Sequence, residues 1–297
     1  MKRSLFPQPG RTAGPGAGLP RGFLILPAVL LGGLALAPGD VCGDELIVGD
    51  AAAVVPGESA VLPLRVDSTA AISGMQFELV YTSGQAAGGS VLVSSPDTDH
   101  KGESREVTAG RLRCLVFSPT GKPLAATTAL SLPLFLGTSS PSGGPDVTIQ
   151  NLRFVTTGGT TATATPAYGA VTRWRKLNFT AAELSDGTAI GDTADPDGDG
   201  LANLVELAAG TAPKLGSSAA PPNPQQTGTL FSITYPQSRT ATGVTQIPQV
   251  STDLRNWVET PGPAITGGDA TTLQMTASVT ATGGKQFLRL LVRRGQP

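Results

Sequence analysis

The strongest constraint on this chain is a succession of short runs that alternate between apolar and polar residues or stay apolar throughout. "SAVLPLRV" (59–66), "GMQFELVY" (74–81), "SVLVSS" (90–95), "RLRCLVFS" (111–118), "ALSLPLFLG" (129–137) and "VTIQNLRFV" (147–155) follow one another with Gly, Pro, Ser and Asp between them. A period of two places alternate side chains on one face, and no helical period separates the runs. The expected result is an antiparallel β-sandwich. About 125 residues, roughly 46 to 172, are enough for one such core. Similar runs return after 228 in "TLFSITYP", "GVTQIPQVSTDLRNWVE", "TTLQMTASV" and "KQFLRLLVRR". The fold class is therefore mostly β.

Composition narrows the functional classes. Only 14% of the 297 residues are charged and the net charge is −1, so no basic stripe for nucleic acid and no solvating acidic block is present. Glycine (38) and proline (25) imply many turns. The first 43 residues read as an export signal. Lys2, Arg3, Arg11 and Arg21 precede or flank the apolar run "FLILPAVLLGGLALA" (23–37), which is short for a membrane span and is interrupted by Pro27, Gly32 and Gly33. Ala35-Leu36-Ala37 fits a cleavage site although Pro38 follows, with Gly39 or Gly43 as alternative ends; an uncleaved anchor is the rival reading. No other segment is long and apolar enough to span a membrane, so a secreted or cell-surface location is expected. Of the two cysteines, Cys42 lies at the edge of the leader and Cys114 sits in an alternating run as a buried strand residue, so no disulfide framework is expected.

Two patterns in the first region carry a resemblance. "ISGMQFELVY" supplies Gln76, Phe77, Leu79 and Tyr81, and "GRLRCLVFSPTGKPLA" supplies Gly110, Arg111, Leu112, Phe117 and Ser118. Together they resemble the cohesin domain family. The resemblance implies a nine-stranded jelly-roll sandwich that binds a protein, or in related sandwiches carbohydrate, through one sheet face. Read from the residues alone, Phe77, Leu79 and Phe117 are core side chains of any extracellular sandwich.

The acidic stretch "DPDGDGLANLVE" (195–206) points to a different chemistry. A hard cation such as calcium takes six to eight oxygens, and the EF-hand loop gathers them from positions 1, 3, 5, 7, 9 and 12, with glycine at 6 for the sharp turn. Counted from Asp195, these positions are Asp195, Asp197, Asp199, the Leu201 carbonyl, Asn203 and Glu206, with Gly200 at 6. The simpler reading has Asp199 capping a helix from about Asn203 to Ala209, ended by Gly210. A cap needs one carboxylate, whereas four are present and repel one another without a cation. Ala202 stands where an EF-hand carries a branched apolar residue, and "SDGTAIGDTA" is a poor entering helix. The segment therefore resembles a single calcium loop of the dockerin or thrombospondin type 3 kind. Dockerins carry two such loops and one is found here. The helix is too short to persist alone, and Trp174, Leu177 and Phe179 are expected to pack against it.

"GSSAAPPNPQQTG" (216–228) reads as a linker. Beyond it, "VSTDLRNWVE" and "FLRLLV" resemble a C-terminal β-module of exported Verrucomicrobia-like bacterial proteins, carried by Ser251 to Leu254, Trp257 and Phe287 to Leu290. Trp257 is a sugar-stacking platform on one reading and a core or turn-packing residue on the simpler one.

Catalysis finds little support. The sole histidine, His100, lies in the polar loop "SPDTDHKGES" without a Cys or second His for zinc, and no Gly-x-Ser-x-Gly elbow is present. Paired carboxylates of a glycosidase are defined by spatial separation, but the one dense acidic cluster suits calcium better. The expected organisation is a signal peptide (1–43), a cohesin-like sandwich (44–172), a calcium loop and short helix (173–215), a linker (216–228) and a C-terminal β-module (229–297). The function that follows is non-catalytic binding or assembly at the cell surface with a structural calcium site. Its partner is a protein or a polysaccharide, and carbohydrate recognition by the sandwich face is the alternative.

Overall fold

The computed structural model describes residues 44–51, 54–94, 97–216, 222–281 and 284–295. The expected signal peptide, with Cys42, lies outside the described residues. Strands β1 (Glu45–Val48), β2 (Ser59–Asp67), β3 (Ile72–Tyr81), β4 (Ala86–Gly88), β5 (Leu92–Val93), β6 (Lys101–Thr108), β7 (Arg111–Phe117), β8 (Leu130–Leu136), β9 (Val147–Thr156), β10 (Thr161–Thr163) and β11 (Thr165–Tyr168) form the first region. They make a six-stranded sheet in the order β11-β1-β2-β8-β4, with β5 also on β8, and a five-stranded sheet in the order β10-β9-β3-β7-β6. All pairs are antiparallel except β1 with β11. The two sheets enclose one core.

Alternation decides which side chains enter that core. On β2, Ala60, Leu62 and Leu64 are buried; on β7, Leu112, Cys114 and Val116; on β8, Leu130, Leu132, Leu134 and Leu136. Phe77 and Phe154 are fully buried between the layers. Cys114 is a core residue as the alternation requires, and burial pushes its thiol up to about 11. The eleven strands exceed the nine implied by the resemblance. Among the described residues of the apolar run at 90–95 the strand is two residues long, β5, and β6 is an additional charged edge strand. His100 lies in the loop before β6, as expected, but is buried there, with its Nδ1 2.8 Å from Asp97 Oδ2.

On the outer side of the five-stranded sheet one carboxylate ties three strands together. Glu78 on β3 accepts from Arg111 Nη1 (2.9 Å) and Arg113 Nη2 (2.7 Å) on β7, and from Asn151 Nδ2 (2.9 Å) on β9. Arg113 beside it, with Asn151 and Arg111, holds its carboxyl below the usual range. Asn151 stands at a β-bulge opposite Phe77 with φ 52°, a conformation asparagine tolerates.

Helices α1 (Ala170–Asn178), α2 (Ala181–Leu184), α3 (Gly187–Ile190) and α4 (Asn203–Ala209) follow the sandwich. Helix α1 crosses the boundary expected at 172/173. The C-terminal part contains β12 (Asn223–Thr227), β13 (Leu230–Ser238), β14 (Val244–Ser251), β15 (Val258–Glu259), β16 (Ala264–Gly268), β17 (Thr272–Thr280) and β18 (Phe287–Arg294). They form a four-stranded sheet, β12-β13-β17-β16, and a three-stranded sheet, β15-β14-β18. The stretch expected to be a linker, 216–228, thus contains a paired strand: β12 is exposed along its length and held by its ladder to β13. The core of this part is small, made by Ile233, Tyr235, Met275 and Ala277 with Leu288 and Leu290 against them.

Phe77→Ala should destabilise the chain by about 3–5 kcal/mol, because the side chain is fully enclosed and its strand is central in its sheet. Chemical denaturation of the two proteins measures this directly, and a loss under 1 kcal/mol would contradict the packing described.

Candidate metal centre

The acidic loop lies between α3 and α4, and local hydrogen bonds shape it. Asp195 Oδ1 accepts from the Gly198 N–H (3.0 Å) and its Oδ2 from the Gly200 N–H (2.9 Å). Asp197 Oδ1 accepts from the Asp199 N–H (3.2 Å), and Asp199 Oδ1 from the Leu201 N–H (2.8 Å). Gly198 and Gly200 have φ of 73° and 92°, left-handed values that let the chain fold back on its own carboxylates. Carboxylate oxygens of Asp195, Asp197 and Asp199 come within 4.8 Å of one another. Asp199 does not cap α4: the N-cap is Ala202, with no side-chain cap. The helix spans Asn203–Ala209 and ends at Gly210, φ 82°, whose N–H donates to the Glu206 carbonyl.

Glu206 is fully buried on α4. Its side chain accepts one hydrogen bond from Thr211 Oγ1 (3.3 Å), and Oε2 has no partner. Asp197 Oδ2 is likewise buried and unpartnered. Burial, followed by the charges of Asp197, Asp199 and Asp195, pushes the Glu206 carboxyl up to about 7. Uncompensated buried carboxylate oxygens beside three acidic neighbours are costly unless a cation or proton meets them. This donor set has the hard-oxygen chemistry of a calcium loop.

Asn203 is anchored through its amide nitrogen. Its Nδ2 donates to the carbonyls of Ala189 (2.9 Å) and Gly191 (2.8 Å), so the amide locks α4 to the end of α3. Only its buried, unpartnered Oδ1 is left to meet a cation. The structure uses Leu201 as a turn residue through its N–H. Trp174 packs with Val171, Leu207, Ala241 and Val244, and Phe179 meets the Trp174 ring edge-on at 5.9 Å. Leu177 does not pack there; it is 78% exposed.

Sequence reading missed the anchor beside the loop. Asp192 accepts from Arg175 Nη2 on α1 (3.1 Å) and from Arg294 Nη2 on β18. Arg175 is buried, and its Nη1 also donates to the Gly144 carbonyl (2.8 Å) in the sandwich. Desolvation lowers the Arg175 guanidinium to about 10, so it stays charged at neutral pH. The Asp192 backbone donates to the Ser142 carbonyl and accepts from the Leu204 N–H on α4. Asp50 fixes the other end of α1 by accepting from the N–H groups of Val171 (2.8 Å) and Thr172 (2.9 Å). Sandwich, acidic loop and C-terminal sheet therefore converge on Asp192.

Neither a protein-family model nor a curated protein matches the sequence. Among solved structures, the chain is similar to cohesin modules. For the sixth cohesin of scaffoldin B from Acetivibrio cellulolyticus, solved with a Cel5 dockerin mutant, identity is 20%, 43% of this chain and 98% of that chain are covered, and the TM-score is 0.35. For the cohesin module of a Clostridium perfringens family 33 glycoside hydrolase the values are 14%, 42%, 98% and 0.34. For a non-cellulosomal cohesin from the archaeon Archaeoglobus fulgidus they are 12%, 42%, 86% and 0.33.

Two outcomes follow from this geometry. Asp192→Ala leaves Arg175 buried without its counter-charge and should cost about 3–5 kcal/mol in denaturant unfolding. Glu206 has a folded-state value above its unfolded one, so the metal-free native state binds the extra proton. Metal-free stability should therefore fall as pH rises from about 4.5 to about 7. Thermal unfolding in chelator across that range, with Glu206→Gln flattening this part of the profile, is the measurement.

Proposed function

We propose that this chain is a secreted, non-catalytic binding or assembly protein of the cell surface, with a cohesin-like β-sandwich, a structural calcium site of the EF-hand or dockerin kind, and a small C-terminal β-module. The observation that carries the calcium reading is Glu206, fully buried with one carboxylate oxygen unpartnered and near enough to Asp197, Asp199 and Asp195 to feel their charges, while those three cluster among themselves. The ligand set is Asp195, Asp197, Asp199, the Leu201 carbonyl, Asn203 through Oδ1, and Glu206. A single loop of this type binds with a dissociation constant on the order of 10⁻⁴ to 10⁻³ M, which extracellular calcium satisfies. Calcium there acts as a clasp: it fixes the loop whose neighbour Asp192 holds α1 and β18.

The sandwich faces favour a protein partner over carbohydrate. The outer side of the five-stranded sheet carries Gln76, Glu78, Arg105, Arg113 and Leu115, and that of the six-stranded sheet carries Val61, Pro133 and the exposed Phe135. Among the described residues neither side has a row of exposed aromatic rings on which sugars stack. Sequence resemblance to cohesins, which bind proteins through one sheet face, points the same way. No helix among the described residues is long and apolar enough to cross a membrane.

A calorimetric calcium titration of chelator-stripped residues 44–297, alongside Asp195→Ala, tests the reading. One ion bound in the stated range, abolished by the substitution, is expected. At 10 mM calcium such binding stabilises the fold by roughly 1.4 to 2.7 kcal/mol. No heat and no gain in thermal stability at millimolar calcium would reduce the loop to an acidic turn, and calcium-independent capture of a protein partner would separate assembly from the clasp.

A further inference from the structure

The connection between β14 and β15 is fixed more firmly than joining two strands requires. Ser251 Oγ accepts from the N–H groups of Asp253 (3.2 Å) and Leu254 (2.9 Å), and Asp253 Oδ1 from those of Arg255 (2.9 Å) and Asn256 (2.8 Å). These donors, the Asn256 N–H foremost, hold the Asp253 carboxyl well below the usual range. Leu254 is kept at φ 61°, a left-handed conformation unfavourable for a bulky side chain, yet that side chain lies 56% exposed. Strain of this kind concentrates at ligand-contacting turns. Trp257 closes the turn by donating its Nε1–H to the Leu254 carbonyl at 3.2 Å.

The Trp257 ring carries Arg289, whose guanidinium carbon lies 4.1 Å from the ring centroid. Arg289 Nε donates to Gln249 Oε1 at 2.8 Å, across the pair that aligns β14 with β18. Leu288 and Leu290 pack into the core, so Phe287, Arg289, Leu291 and Arg293 lie on the opposite side of the sheet. Ring below and amide beside hold the guanidinium in place, while its terminal nitrogens make no hydrogen bond or ion pair among the described residues. The acid sharing this side, Glu259, is opposite Gln249 on the far strand, β15.

We propose that Trp257, Arg289 and Gln249 form a receptor for a uronate unit of an anionic polysaccharide. The free end of the guanidinium matches a carboxylate as a two-pronged donor, and an arginine already pinned loses little freedom on binding. The indole is taken up in holding the guanidinium, and the exposed Leu254 beside it offers the C–H face of a pyranose an apolar contact, which an acidic peptide side chain would leave unused. Charge supports an anionic occupant. Residues 222–297 carry six basic against three acidic residues, whereas 44–216 carry eleven basic against eighteen acidic. The site is separate from the acidic loop and does not rest on the calcium reading.

The test is a titration of the full-length chain with oligogalacturonate in chelator, where calcium cannot bridge the sugar, against neutral oligogalactose of the same length and polyglutamate. Saturable binding to the uronate is expected, at least tenfold weaker for the neutral sugar, for polyglutamate, for Arg289→Gln and for Trp257→Ala. Arg289 is exposed, so Arg289→Gln should keep the parent melting temperature, which separates lost recognition from lost folding. Absent binding, undiminished binding by folded Arg289→Gln, or equal binding of the neutral sugar or of polyglutamate overturns the proposal. Arg289-dependent self-association in sedimentation without sugar also overturns it and assigns the face to a second copy of the chain.

Discussion

Asp192 is the point on which the arrangement of the described parts depends. Two guanidiniums, one on the first helix after the sandwich and one at the end of the last strand, share a single carboxylate oxygen. Burying Arg175 is unfavourable unless its donors are met, and they are met by Asp192 and by sandwich carbonyls. Because Asp192 is also bonded through its backbone to Ser142 and to α4, the acidic loop cannot change shape without disturbing all three segments. A cation bound in that loop, as proposed, would therefore act on more of the chain than the loop itself.

Much of the architecture was legible because burial imposes a period of two. β2, β7, β8 and β9 fall on the alternating runs almost residue for residue. What alternation could not reveal were strands without an apolar face. β6, "KGESREVT", is a polar sheet edge, and β12, "NPQQT", is exposed throughout and looks like linker; each is defined by its neighbour's hydrogen-bonding groups. Leu177 was misplaced because α1 presents Val171 and Trp174, rather than Leu177, to the packing cluster.

The acidic turn was readable for the opposite reason: its geometry is local, with every carboxylate-to-backbone bond of Asp195, Asp197 and Asp199 spanning five positions or fewer. Asn203 shows the limit of that locality, since its amide answers to carbonyls of α3 instead of to the loop alone. The anchor around Asp192 leaves no local trace. Arg175 and Arg294 lie 17 and 102 positions away, and Asp50 reaches α1 from 121 positions upstream. The spare oxygen of Glu206 is equally invisible in sequence, because it follows from what the fold fails to place beside it.

The parallel pairing of β1 with β11 also bears on how the chain comes to be folded. Glu45 aligns with Thr165, so the sheet edge at β1 is sealed only when residues far along the chain arrive. Until then that strand has β2 alone beside it, and the six-stranded layer stays open. A topology whose closing contact spans so much sequence folds slowly, and β1 holds its final place only after β11 has been made and brought back beside it.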